Sequence, residues 1–147
     1  MKWNRLLLAA MVAIAIVMGW QLYQTQHADN GQLGVNVDGR TLHLRWQGRV
    51  DLPMASSIRR AFERYGATTE VVQLDLHSGG GAIREGGEVI KALETIKTTH
   101  KLITHVAAGE RCMSMCVPIY MEGDIRRASP TAHFMFHEPK RYYDDGK

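Results

Sequence analysis

Residues 71–107 constrain the fold more tightly than any other part of this chain, because they alternate between two hydrophobic periods across a run of glycines. Val71 to Leu76, VVQLDL, is a short apolar stretch that opens on β-branched residues and reads as a strand. It ends in His77-Ser78-Gly79-Gly80-Gly81. Consecutive glycines let a backbone approach a neighbour closely and turn its amides inward. From Ile83 to about Thr98 the apolar residues Val89, Ile90, Leu93 and Ile96 fall on one helical face. Lys101 to Ala107, KLITHVA, is again a strand. Gly109 and Glu110 then turn the chain into a further short helix and strand. Such alternation predicts an α/β fold of stacked β-α units, with parallel strands joined by right-handed crossovers.

Upstream, Val35 to Val50 places Val35, Val37, Leu42, Leu44 and Trp46 in alternating positions around Asp38-Gly39, the pattern of a β-hairpin. Asp51-Leu52-Pro53 is a helix-start signal. Met54, Ile58, Ala61 and Phe62 line one face of that helix, with Arg59, Arg60, Glu63 and Arg64 largely opposite, and Gly66 closes it. With 147 residues the chain supports one domain and a short appendage. The net charge of +3 comes from 18 Lys and Arg scattered among 15 Asp and Glu. No basic stripe interleaves with aromatic residues, which argues against nucleic-acid binding.

The appendage is N-terminal. Lys2 and Arg5 precede an uninterrupted apolar run, Leu6 to Trp20. Counted through Tyr23 as a helix, it is about 27 Å long, close to the roughly 30 Å hydrocarbon core of a bilayer. No Lys or Arg follows until Arg40, an asymmetry that puts the N-terminus in the cytoplasm and the rest outside. A cleaved signal peptide is the alternative, but Gln26-His27-Ala28 is a poor cleavage site, and Trp20 and Tyr23 suit interfacial anchors. The expected organisation is a transmembrane signal anchor over residues 1–23, a polar spacer over 24–34 and an α/β domain over 35–147. Single-pass insertion in the inner membrane through residues 6–23 would place that domain in the periplasm.

The chemistry concentrates between Cys112 and Pro139, CMSMCVPIYMEGDIRRASPTAHFMFHEP. Met113 to Met121 is expected to be a short buried helix with Ser114 in its first turn. Ala132 to Phe136 is expected to be a strand that delivers His137 to its C-terminal edge. A serine hydroxyl becomes a nucleophile when a histidine takes its proton, and an amide near a helix start is free to stabilise an oxyanion. Each residue also has a plain structural role, Ser114 as a helix cap and His137 as an edge histidine with a structural hydrogen bond. The glycine run could equally be an ordinary turn. It lacks the Walker lysine and the spaced dinucleotide fingerprint, which argues against a phosphate loop.

This pattern resembles the Clp protease proteolytic subunit and its periplasmic relatives within the Clp/crotonase superfamily. Ser114, Met115, Gly123, Arg126, Pro130, Met135, His137 and Pro139 occur in the family's order, with Phe136 and Glu138 replacing the usual neighbours. Leu76-His77-Ser78-Gly79-Gly80-Gly81 is similar to the family's Asn-Ser-Pro-Gly-Gly turn, with Gly79 in place of proline. The resemblance covers roughly Leu44 to Pro139. It implies a serine-type peptidase with Ser114 as nucleophile, His137 as general base, and the Gly81 and Met115 amides as oxyanion hole. It also implies a peptide or protein substrate, no metal or nucleotide cofactor, and self-association into a homo-oligomer. The family's acid comes later in the chain. After His137 only Glu138, Asp144 and Asp145 remain, and none matches it. The domain over 35–147 is therefore expected to be C-terminally incomplete, with the acid beyond Lys147. A Ser-His dyad, or a non-catalytic Clp-like binding or scaffold protein lacking the triad acid, is the alternative.

Cys112 and Cys116 flank the serine. Four apart on one helix face their Cα atoms would stand about 6 Å apart with near-parallel Cβ directions, a poor geometry for a disulfide. Two small buried thiols are expected, with a redox lock that distorts the nucleophile as the alternative. Cys112, Cys116, His133 and His137 also mimic a zinc spacing. On a strand the two histidines would stand about 13 Å apart, too far to share a metal.

Overall fold

Alternation between buried and half-buried positions along Thr41–Gln47 and Val71–His77 sets up a sheet with one dry face. In the computed structural model of the chain, residues 11–19 and 31–137 are described. Contacts divide the protein into two units, Met1–Asn30 and Gly31–Lys147. Of the first, residues 11–19 are helical, with Met11, Val12, Ile14, Ile16, Val17 and Met18 all exposed. Among the described residues no helix is long and apolar enough to cross a membrane. Most of the expected anchor, including Trp20 and Tyr23, lies outside the described residues.

In the second unit, β1 (Gln32–Asp38) and β2 (Thr41–Gln47) form the expected antiparallel hairpin around Gly39, whose φ of +55° suits glycine. β1 starts inside the stretch read as spacer. α1 (Met54–Tyr65) follows and runs into a 3₁₀ turn, Gly66–Thr68. Gly66 keeps right-handed helical angles, so its glycine serves space rather than handedness: a Cβ there would stand 2.8 Å from the Phe62 ring. β3 (Val71–His77), α2 (Ile83–Lys97) and β4 (Lys101–Val106) complete the predicted β-α-β unit. The five-stranded sheet has order β1-β2-β3-β4-β6, with β6 at Ile125–Ala128, and β2, β3, β4 and β6 run parallel.

Its dry face carries Leu42, Leu44 and Trp46 on β2, Val72, Leu74 and Leu76 on β3, and Leu102 and Val106 on β4, all 0% exposed. Met54, Ile58 and Ala61 of α1 and Val89, Leu93 and Ile96 of α2 close over it. Each such Leu or Ile contributes about 1.5–3 kcal/mol through apolar burial. The opposite face is largely polar and half-buried, apart from the buried Ile103. There His105 Nδ1 lies 2.6 Å from Asp75 Oδ1, and Gln73 Nε2 donates to the same carboxylate at 3.1 Å.

Beyond β4 the structure departs from the expected helix over Met113 to Met121. The segment is instead a strand, β5 (Arg111–Met113), a turn at Ser114 and Met115, and a shorter helix, α3 (Cys116–Met121). β5 pairs in parallel with β7 (His133–Met135), which shortens the strand expected over Ala132 to Phe136, and the pair forms a second, two-stranded sheet. Two external partnerships pull residues 111–113 out of a helix: β7 on one side, and Ser78 on the other through Ser78 N to Arg111 O at 2.7 Å and Met113 N to Ser78 O at 3.0 Å. β6 (Ile125–Ala128), which no sequence pattern signalled, is the fifth strand of the main sheet.

Candidate active site

Ser114 sits at the junction of β5 and α3 with φ +52°, the one positive φ at a non-glycine residue among those described. A side chain in that region costs about 1–3 kcal/mol and persists only where neighbours over-determine it. Ser114 N donates to Met135 O at 2.7 Å, and Val117 N donates to Ser114 O at 3.0 Å. Cys112 and Cys116, on either side of the turn, are joined in a disulfide with Cα atoms 5.2 Å apart.

That bond corrects the expectation of two free buried thiols. The geometric objection assumed both residues on one helix. Cys112 lies on β5 and Cys116 opens α3, and the bend at Ser114 brings their side chains together at a normal disulfide span. Both sulfurs are thereby removed from the Cys-Cys-His-His metal-ligand set.

The glycine turn packs directly on this junction. Gly80 has φ +92°, and a Cβ there would stand 2.6 Å from Ser114 Cβ, 2.7 Å from Met113 O and 3.2 Å from Met115 N. Gly81 faces the other way: a Cβ would stand 2.1 Å from Val50 O. Val50 N donates to Gly80 O at 2.9 Å and Ala82 N donates to Val50 O at 2.8 Å. Those bonds use the groups on either side of Gly81 and leave its own amide directed away from Val50. Neither the Gly81 nor the Met115 amide donates to a backbone carbonyl among the described residues. Ser78 is 1% exposed, and its Oγ accepts from Gly80 N at 3.1 Å, so it shapes the turn.

Ser114 and His137 line one cavity of about 190 Å³, with Ile83, Met115, Pro118 and Phe136 completing its mostly apolar wall. Ser114 is half-buried and His137 exposed, so the cavity opens to solvent. No carboxylate lines it among the described residues. Glu138, Asp144 and Asp145, like Pro139, lie outside the described residues. Other residues of the sequence pattern hold the frame: Arg126 Nη1 donates to Met121 O and Gly123 O, both at 3.1 Å, just past the end of α3. Gly123 is small because a Cβ would stand 2.3 Å from Thr104 Oγ1. Sequence reasoning missed Gly80, the glycine that touches the serine turn, and the Ile83 and Phe136 walls; their one signal was position, beside the glycine run and beside His137.

A mostly parallel sheet with its glycine turn against a serine junction defines an α/β protein of the Clp/crotonase type. The family model for Clp protease matches residues 52–145, more than half of the sequence, and the chain belongs to that family. Solved structures with this fold include the ClpP protease catalytic domain from Plasmodium falciparum (18% identity, TM-score 0.59), covering 70% of this chain and 56% of that one. A ClpP1 mutant from Listeria monocytogenes has 17% identity and TM-score 0.58, covering 69% and 58%. An enoyl-CoA hydratase from Mycobacterium avium subsp. paratuberculosis has 19% identity and TM-score 0.57, covering 70% and 46%. This chain thus spans roughly half the length of the structures it matches. No curated protein matches it.

Proposed function

We propose that this protein is a membrane-anchored, extracytoplasmic serine-type hydrolase that cleaves peptide bonds through Ser114 and His137. The observation that carries the reading is their shared cavity, with Ser114 held at positive φ on a sharp strand-to-helix turn. Such a turn presents a hydroxyl at an open edge, and the amide of the following residue is then placed to meet a developing oxyanion. Ser114 Oγ attacks the scissile carbonyl as His137 takes its proton. The Met115 and Gly81 amides receive the oxyanion, and His137 returns the proton to the leaving amine. Departure of the amine leaves the acyl group on Ser114 Oγ. Water entering the open cavity gives a proton to His137 and attacks the ester, and His137 returns that proton to Ser114 as the acid product leaves. The polypeptide substrate, the homo-oligomer and the periplasmic location belong to the same proposal. The exposed apolar helix at residues 11–19 supports the anchor.

The test is covalent labelling of the full-length protein by a fluorophosphonate. The parent chain is expected to label, Ser114→Ala to give no adduct, and His137→Ala to label at least about a thousandfold more slowly. The cavity's lack of a carboxylate among the described residues favours one rival, a Clp-like scaffold without catalysis. Absence of labelling in the folded parent would decide for that rival.

A further inference from the structure

We propose that the Cys112–Cys116 disulfide is the positioning device for Ser114, so that the turn keeps its nucleophile geometry only while the bond is oxidised. The effect on reactivity rests on the hydrolase reading above; the effect on the turn does not. Ser114 occupies a backbone conformation that its own side chain disfavours, so its surroundings must enforce it. The hydrogen bonds reaching the turn come from Met135 and Ser78, one on a three-residue strand and the other in a glycine loop. The disulfide is the one covalent constraint, and it ties the two ends of the turn to each other rather than to a distant element.

Each half is itself anchored. Cys112 pairs with Phe134 across the small sheet and bridges Ser78, while Cys116 begins α3. Both are 0% exposed, in the core against the main sheet. Two thiols cannot remain at bonding distance, so opening the bond must spread the ends of a loop only five residues long from Cys112 to Cys116. The surrounding core resists movement of the strand and the helix. The displacement falls on Met113, Ser114 and Met115, which carry the proposed hydroxyl and one oxyanion amide. A small dithiol performs the step. Its thiolate attacks one cysteine sulfur and displaces the other as a thiolate; its second thiol then resolves the mixed disulfide. The protein gains two thiols and the reagent leaves as a cyclic disulfide.

The experiment compares three forms of the full-length chain: oxidised, reduced with dithiothreitol until thiol titration finds both cysteines free, and the double variant Cys112→Ala/Cys116→Ala. Peptide-resolved hydrogen exchange is read over residues 111–117 and over β4 as the internal reference. Exchange across 111–117 is expected to rise at least about tenfold in the reduced and variant forms, with β4 changing less than about twofold. Fluorophosphonate labelling should slow at least about tenfold through its inactivation rate constant, with the probe's binding constant nearly unchanged. Reoxidation should restore both in the reduced form. Equal exchange over 111–117 in all three forms overturns the proposal whatever the labelling does. Equal acceleration in both segments also overturns it, because the bond would then stabilise the domain generally. Selective acceleration without labelling in any form upholds the positioning role and removes the hydrolase reading instead.

Discussion

A methyl group at position 80 would stand 2.6 Å from Ser114 Cβ and 2.7 Å from Met113 O, both inside contact distance, with φ already at +92°. Neither neighbour can yield cheaply, because one is at the strained serine and the other belongs to the backbone of β5. Gly80→Ala is therefore expected to cost about 1–3 kcal/mol in stability and to slow fluorophosphonate labelling at least about a hundredfold. Gly79 is the control: nothing lies within 4 Å of the place its Cβ would take, and its φ is not positive. Gly79→Ala should stay within about 0.5 kcal/mol and label normally. Denaturant melts and labelling rates on the three proteins check this, and equal behaviour of the two variants would refute the role given to Gly80. The three glycines look alike in the sequence. What separates them is the neighbour each meets: solvent at Gly79, the serine turn at Gly80 and Val50 at Gly81.

At the scale of elements, α1 has no side-chain cap of its own, and the acceptor comes from the neighbouring helix. Glu85, 7% exposed in the first turn of α2, accepts from Ala55 N at 2.8 Å through Oε1. The carboxylate stands where two helix N-termini favour negative charge. Glu85→Ala leaves a buried amide unsatisfied and should cost about 1–3 kcal/mol, whereas Glu85→Gln keeps an oxygen acceptor and should cost less than about half of that. Urea unfolding of both variants measures it; equal losses would assign the effect to charge or volume rather than to the hydrogen bond.

Long elements were legible because periodicity averages over several turns: α1, α2, β3 and β4 all stand where apolar spacing put them. The region around the serine was not. An isolated run such as CMSMCVPIYM has helical spacing throughout, and only β7, more than ten residues later, and Ser78, more than thirty earlier, draw its first residues into a strand. The disulfide stood only as the alternative for the same reason, since its plausibility depends on the bend at Ser114. Ser114 and His137 line one cavity because each follows a strand of the same small parallel sheet, Ser114 after β5 and His137 after β7. That placement depends on the order of strand ends rather than on the intervening conformation.

For the whole molecule, two independent features bear on compartment. The disulfide requires surroundings that do not reduce it, as found outside the cytoplasm. Basic residues flank the N-terminal apolar run on one side only, the asymmetry on which the proposed anchor and its orientation rest, and residues 11–19 expose apolar side chains. The two features involve different residues and different physics, and each supports the proposed extracytoplasmic placement of the domain. Expressed in a Gram-negative host, the full chain is expected to stay in the membrane pellet through alkaline carbonate extraction. A chain starting at Gly31 behind a cleavable signal should be released. Alkaline phosphatase, which needs its own disulfides to be active, should work when fused after Lys147 of the full chain. A soluble full chain would remove the anchor, and an inactive phosphatase would reverse the orientation. The second result would also leave the Cys112–Cys116 bond in a reducing compartment, where by the argument above Ser114 would lose the constraint that holds it.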